Sequence, residues 1–247
     1  MNPSPILKAL SSMKRNGVQT LLMGGQACVF YGAAEFSRDL DLLVVVDSQN
    51  LDRLRLALDE LEAQPIAVPP FEARFLEAGH AVHFRCRRAD VGELRIDVMS
   101  RLRGVEEFDL LWNRRTTIEV EDQSVDLMSL ADLVLAKKTQ REKDWPMIRR
   151  LVEQNYLEHR DSPSSAQVRF WLRELRTPEL LIRVVAQWAR EAEGERVRPA
   201  VDAAIQGNED AVAACLRLEE DEERHRDRVY WQPLRRELER LRHGPRA

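Results

Sequence analysis

Leu22-Met-Gly-Gly-Gln-Ala-Cys-Val-Phe-Tyr-Gly-Ala-Ala-Glu-Phe-Ser-Arg-Asp-Leu-Asp-Leu-Leu-Val44 holds two apolar runs separated by a glycine pair and a polar turn. Val18 to Met23 reads as a short β run, Gly24-Gly25 breaks it, and Gln26 to Tyr31 starts a helix. Leu40 to Val46 is strongly β-like. Period two places Leu40, Leu42, Val44 and Val46 on one face, toward a core. It places Asp39 and Asp41 together on the other face, roughly 6–7 Å apart at Cα. Two carboxylates that close repel when both are ionised. A divalent cation removes the repulsion, and hard Mg²⁺ prefers such oxygen ligands together with substrate phosphates.

A later segment fits the same logic. In Leu94-Arg-Ile-Asp-Val-Met99, Leu94, Ile96 and Val98 form the apolar face and Asp97 lies on the opposite one. If this strand pairs beside 40–46, three carboxylates meet on one sheet surface. They could then hold two metals about 3.5–4 Å apart, the arrangement used for in-line phosphoryl or nucleotidyl displacement. An Asp-x-Asp at a strand edge is by itself most often a solvated face. The ordered set of strand, Gly-Gly, helix, Asp-x-Asp strand and later Asp strand is what points to a site. Gly24-Gly25 permits close backbone approach by a phosphate, at a helix start that supplies N–H donors. Read alone, the pair is equally a tight turn. Neither G-x-G-x-x-G nor a G-K-[ST] P-loop is present.

Outward from there, 5–15 reads as a helix ending at Gly17, and Leu51 to Ala63 as an amphipathic helix. Ala81 to Arg87 alternates, with His83, Arg85 and Arg87 on its polar face. Thr116 to Val120 and Ser124 to Leu127 suggest a hairpin, followed by helices near 129–140 and 143–154. The polar stretch 155–165 reads as a linker. From 166 to 242 the pattern is helical, with breaks expected near Pro178, Gly194–Pro199, Gly207 and Pro233. Trp171 and Trp188 sit in apolar helical patterns that suit core packing, and Glu220/Arg224 and Glu222/Arg226 are spaced as exposed ion pairs. The expected organisation is a 1–154 domain, a 155–165 linker and a 166–247 helical domain. The fold class is α+β: a mixed sheet with flanking helices, then a helical C-terminal region.

The 247 residues suffice for a sizeable core. Three scattered cysteines, Cys28, Cys86 and Cys215, argue against a disulfide scaffold and a cysteine-based zinc site and suit a reducing cytoplasm. No apolar window approaches a membrane span, and Met1 to Leu10 does not read as a secretory signal. A net charge of -4 disfavours a broad nucleic-acid-binding surface, though a local basic site remains open.

At these residues the sequence resembles the nucleotidyltransferase superfamily that includes DNA polymerase beta, the aminoglycoside and minimal nucleotidyltransferases, and the abortive-infection and toxin–antitoxin nucleotidyltransferases. The family pattern is an apolar residue with Gly-Gly or Gly-Ser, a spacer, then Asp-apolar-Asp/Glu-apolar. Here it is Met23-Gly24-Gly25, thirteen residues, then Asp39-Leu40-Asp41-Leu42, and the likeness covers roughly 15–100. Ser37-Arg38 looks like the lead-in of the toxin–antitoxin branch, and Asp97 matches the third carboxylate. The stretch Leu130 to Ile148 is similar to the basic helix that follows the catalytic sheet in bacterial members. Three of the five lysines fall within seven positions there, in a chain otherwise dominated by arginine, and a lysine suits a phosphate as a compact charge. Basic groups also simply favour a helix C-terminus, and Lys143-Asp144 could form a local pair.

The resemblance implies Mg²⁺ on Asp39, Asp41 and Asp97, with Asp97 also the general base. It implies phosphate contacts from Gly24, Gly25, Arg38, Lys137, Lys138 and Arg141. The implied reaction moves a nucleoside monophosphate from a nucleoside triphosphate to an acceptor hydroxyl on a small molecule, a tRNA or a protein, releasing pyrophosphate. The alternative is a catalytically silent nucleotide-binding or toxin–antitoxin module. The helical region is open to several roles: a lid, a substrate platform, a surface for a second copy of the chain or, in the toxin–antitoxin alternative, a surface for a partner protein.

Overall fold

The computed structural model describes residues 4–121 and 123–243. The chain opens with α1 (Pro5–Arg15), β1 (Thr20–Met23), α2 (Gly24–Phe30), β2 (Asp39–Val44) and α3 (Ser48–Glu60). It continues through β3 (Gln64–Pro65), α4 (Ala73–Glu77), β4 (Val82–Arg85), β5 (Arg95–Met99) and α5 (Phe108–Asn113). The hairpin β6 (Thr116–Val120) and β7 (Gln123–Leu127) follows, then α6 (Leu130–Ala136) and α7 (Asp144–His159). The rest is α8 (Ser165–Glu174), α9 (Pro178–Gln187), α10 (Ala189–Gly194), α11 (Pro199–Ile205) and α12 (Glu209–His243). This is an α+β fold with a mixed sheet, flanking helices and a helical C-terminal region, as the sequence pattern predicts.

The seven strands lie in the order β3-β4-β5-β2-β1-β7-β6. β1 runs antiparallel to β2, and β2 runs parallel to β5. β1 lies inside the sheet between β2 and β7 and carries the fully buried Leu21 and Leu22. Leu40, Leu42, Ile96 and Val98 are also fully buried, so the alternating strands bury one face and leave the other half-open. Residues at the start of α3 tie the ends of the inner strands β1 and β2. Asp47 caps its N-terminus by accepting from the Asn50 N–H at 2.8 Å. Buried Asn50 then donates to the Gln19 and Val45 carbonyls and accepts from the Gln19 N–H.

Contacts divide the chain into Met1–Ala136 with Tyr230–Ala247, and Lys137–Val229. The sequence placed the change of character at 154–166 instead. Residues 155–159 continue α7, because Tyr156 is a buried residue of that helix, with its ring edge-on to Trp171. Trp171 is fully buried and meets Trp188 at 5.5 Å, so both tryptophans are packing residues of the second unit. Glu220/Arg224 and Glu222/Arg226 pair as the spacing predicts.

The break expected at Pro233 is absent, since it lies inside α12. A proline there costs one helical hydrogen bond, about 3 kcal/mol. The neighbouring turns are held within the first unit: Leu234 is buried, and Glu237 pairs with the buried His80 at 2.8 Å.

Candidate active site

β2 and β5 are adjacent and parallel, and their register sets Asp41 opposite Asp97 and Asp39 opposite Arg95. Strands in such a pair are about 4.8 Å apart. Asp39 and Asp41 on β2 and Arg95 and Asp97 on β5 are half-buried, while Leu40, Leu42, Ile96 and Val98 between and after them are buried. Asp97 therefore faces away from the hydrophobic interior, on the same side as the other two carboxylates.

The glycine pair belongs to the same place. Met23 lies opposite Asp41 across β1 and β2, so the chain enters α2 directly beside that carboxylate. Gly24 has φ +68°, and a Cβ built on it would fall 1.9 Å from Asp41 Oδ2. No side chain fits there, and the left-handed backbone also favours glycine. The Gly25 N–H donates to Asp41 Oδ2 at 3.4 Å. A Cβ on Gly25 would lie 2.7 Å from Ser37 Oγ, and that hydroxyl donates to the Asp39 carbonyl. The two glycines are thus the surface on which the start of β2 rests.

Two residues outside the expected set complete the cluster. His83 on β4 lies opposite Asp97 in the antiparallel β4/β5 pair, with Nδ1 at 2.8 Å from Asp97 Oδ1. Arg95 Nε donates to the same oxygen at 2.8 Å, and its Nη2 approaches His83 Nδ1 at 3.1 Å. Nδ1 cannot serve both neighbours well: it needs its proton for the carboxylate and its lone pair for the guanidinium. Both contacts fall on Oδ1, and no described residue takes Asp97 Oδ2. Burial would raise the Asp97 carboxyl, but hydrogen bonds from His83 and Arg95 outweigh it and hold the group below its ordinary value. Asp97 also pushes the Arg95 guanidinium upward, with help from the charges of Asp39 and Asp41. Arg95 is thus ion-paired with Asp97 and lies within the field of the other two carboxylates.

Arg38 is exposed and has no carboxylate partner among the described residues. Its guanidinium lies over the Phe36 ring, 5.9 Å from the centroid. Lys137, Lys138 and Arg141 are placed differently, in the second unit, each engaged by an acid of that unit. Lys137 Nζ is 3.4 Å from Asp144 Oδ1, Arg141 Nε is 2.8 Å from Asp144 Oδ2, and Lys138 reaches Glu174 at 2.8 Å. The pairing of Asp144 is thus with Lys137 and Arg141 rather than with Lys143.

Among the described residues, no three His, Cys, Asp or Glu side chains are gathered as a ready metal cage. The donor chemistry nevertheless fits a hard divalent cation: three carboxylates on adjacent strands, with Asp97 Oδ2 met by no donor among the described residues. The absence of a side chain at Gly24 lets Asp41 lie directly against the backbone.

No family model and no curated protein matches this chain. Among solved structures it is similar to a candidate nucleotidyltransferase from H. pylori. That match has 12% identity and a TM-score of 0.42, and covers 88% of this chain and 92% of that one. It is also similar to an antigenic nucleotidyltransferase-like protein from Paracoccidioides brasiliensis. That match has 18% identity and a TM-score of 0.41, and covers 82% of this chain and 91% of that one. These are loose overlaps, and the site is read from the residues of this chain. Among the described residues no helix is long and apolar enough to cross a membrane.

Proposed function

We propose that this chain is a Mg²⁺-dependent nucleotidyltransferase that moves a nucleoside monophosphate from a nucleoside triphosphate to an acceptor hydroxyl. The observation that supports it is the shared face of Asp39, Asp41 and Asp97, in register on adjacent strands, with Gly24 lying under Asp41. Asp39, Asp41 and Asp97 would hold the cation, which supplies charge neutralisation at the phosphates and in the transition state.

The chain's own groups account for the rest. Gly24 and Gly25 let the phosphates approach the backbone. Arg38, next to Asp39 in the chain and without a carboxylate partner among the described residues, binds phosphate oxygens as a planar donor. Lys137, Lys138 and Arg141 are secondary candidates for the same task, since each is held by an acid of its own unit. The acceptor oxygen bonds to the α-phosphorus while the bond from that phosphorus to the bridging oxygen breaks, and pyrophosphate leaves. Asp97 takes the acceptor proton: His83 and Arg95 keep it ionised and fixed in direction.

The test is incubation with labelled nucleoside triphosphates and Mg²⁺ against candidate acceptors, beside Asp41→Asn. Transfer by the native chain and none by a folded Asp41→Asn supports the reading. Equal transfer by the two defeats it. A second reading, a silent nucleotide-binding module, draws on the contacts that already neutralise Asp97. Nucleotide binding without transfer to any acceptor would favour it.

A further inference from the structure

The geometry points to Phe36 as the platform on which the nucleobase of the bound nucleotide stacks, with Arg38 beside it turning to the phosphates. This rests on the nucleotidyltransferase reading and assigns that site a base-binding residue. Phe36 is 69% exposed, and it is the only aromatic among the exposed large apolar side chains of the described residues. A phenylalanine so placed gains nothing for the core. The Arg38 guanidinium lies over its ring, 5.9 Å from the centroid.

Its position along the chain is equally specific. Phe36 is three residues before Asp39, which limits their separation to roughly 10 Å. The residue between Phe36 and Arg38 is Ser37, anchored against Gly25 and bonded to the Asp39 carbonyl. The segment is therefore pinned at the point where the phosphates would lie, while the flanking ring and guanidinium are left in solvent. A nucleotide offers a matching pair, an anionic phosphate chain and a planar aromatic base, separated by one ribose. Every base has a π-face, so a single phenylalanine gives affinity with little choice of base, and a larger purine gains more than a pyrimidine.

The experiment compares the native chain with Phe36→Ala and Phe36→Trp, measuring Mg²⁺-dependent binding of ATP, CTP and inorganic tripolyphosphate by calorimetry. Phe36→Ala should bind ATP about 5- to 100-fold more weakly and CTP less so, with tripolyphosphate binding unchanged. Phe36→Trp should restore ATP affinity, and ATP but not tripolyphosphate should quench its added fluorescence. Equal ATP affinity in the native chain and Phe36→Ala overturns the inference. So does a parallel loss of ATP and tripolyphosphate, which would make Phe36 a structural prop. If the native chain binds neither ATP nor tripolyphosphate, the nucleotidyltransferase reading itself fails and the inference with it. If tripolyphosphate binds and ATP gains nothing over it, only the stacking platform fails.

Discussion

The carboxylate face of β2 and β5 and the segment 137–144 both mix acids with bases, yet their charges are deployed in opposite ways. In the segment, Asp144 is almost fully buried and is met by Lys137, by Arg141 and by the Thr139 hydroxyl at 2.6 Å. The Trp145 indole N–H then donates to the Thr139 carbonyl. Every one of these bonds fastens the loop to the first turn of α7, where an acid is also favoured by the helix dipole. On the sheet, Asp97 is paired with Arg95 and His83, the charges of Asp39 and Asp41 act on Arg95 through space, and Arg38 is left in solvent. A closed network with charges matched by partners is what a structural cluster looks like. Excess acid with a cation held in reserve is what a ligand-binding face looks like.

Substitutions should separate the two regions. The largest effect is expected from Asp41→Asn or Asp39→Asn, with nucleotidyl transfer falling about a thousandfold or more and the melting temperature of the metal-free protein unchanged or raised as repulsion is relieved. A matching loss of stability would make this face structural as well. Next, Asp144→Ala leaves Lys137 buried without its partner and should lower unfolding free energy by about 3–5 kcal/mol, measured by denaturant titration. An unaltered midpoint would remove the contrast from the other side.

Gly24→Ala lies between these extremes. Its Cβ would collide with Asp41 at 1.9 Å, so the carboxylate must move. Transfer should fall about a hundredfold, and the positive φ adds about 1 kcal/mol of destabilisation. The same substitution at Gly194, where a Cβ meets nothing within 4 Å, is the control.

The smallest effect is on pH dependence, remote from both clusters. Hydrogen bonds from Ser12, Asn16 and Arg15 lower the Glu60 carboxyl to about 2 from an ordinary 4.5. The folded-state value is depressed, so this contribution is complete above pH 4.5 and is lost as pH falls toward 2. Glu60 is largely exposed, so solvent screening keeps the effect small. Glu60→Gln should flatten the stability profile across that window and leave it unchanged near pH 7, as followed by thermal melts.

Much of the carboxylate face was legible because it depends on local periodicity. Asp39, Asp41 and Asp97 each sit at the polar phase of an alternating strand, and Gly24-Gly25 marks the strand's end. Arg95 shares that phase, two residues from Asp97, but its ion pair with Asp97 depends on side-chain conformation rather than on spacing. His83 depends on register. It meets Asp97 only because β4 and β5 pair with Val82 opposite Val98, and alternation alone does not fix that offset. The signal available was that both residues lie on the polar faces of successive strands joined by one loop. The lysines near 137 were harder. Their clustering is visible in the sequence, but their partners Asp144 and Glu174 lie 7 and 36 residues away, and burial rather than spacing decides what they do. Pro233 was read as a helix stop by a local rule that tertiary contacts override.

The most direct test of the carboxylate face is a crystal of the full chain grown with Mn²⁺ and a non-hydrolysable ATP analogue, read by anomalous scattering. The account predicts an anomalous peak ligated by Asp39 and Asp41, with Asp97 Oδ2 turned to it and the phosphates against Gly24 and Gly25. Manganese absent from those aspartates while the analogue is bound elsewhere would contradict it.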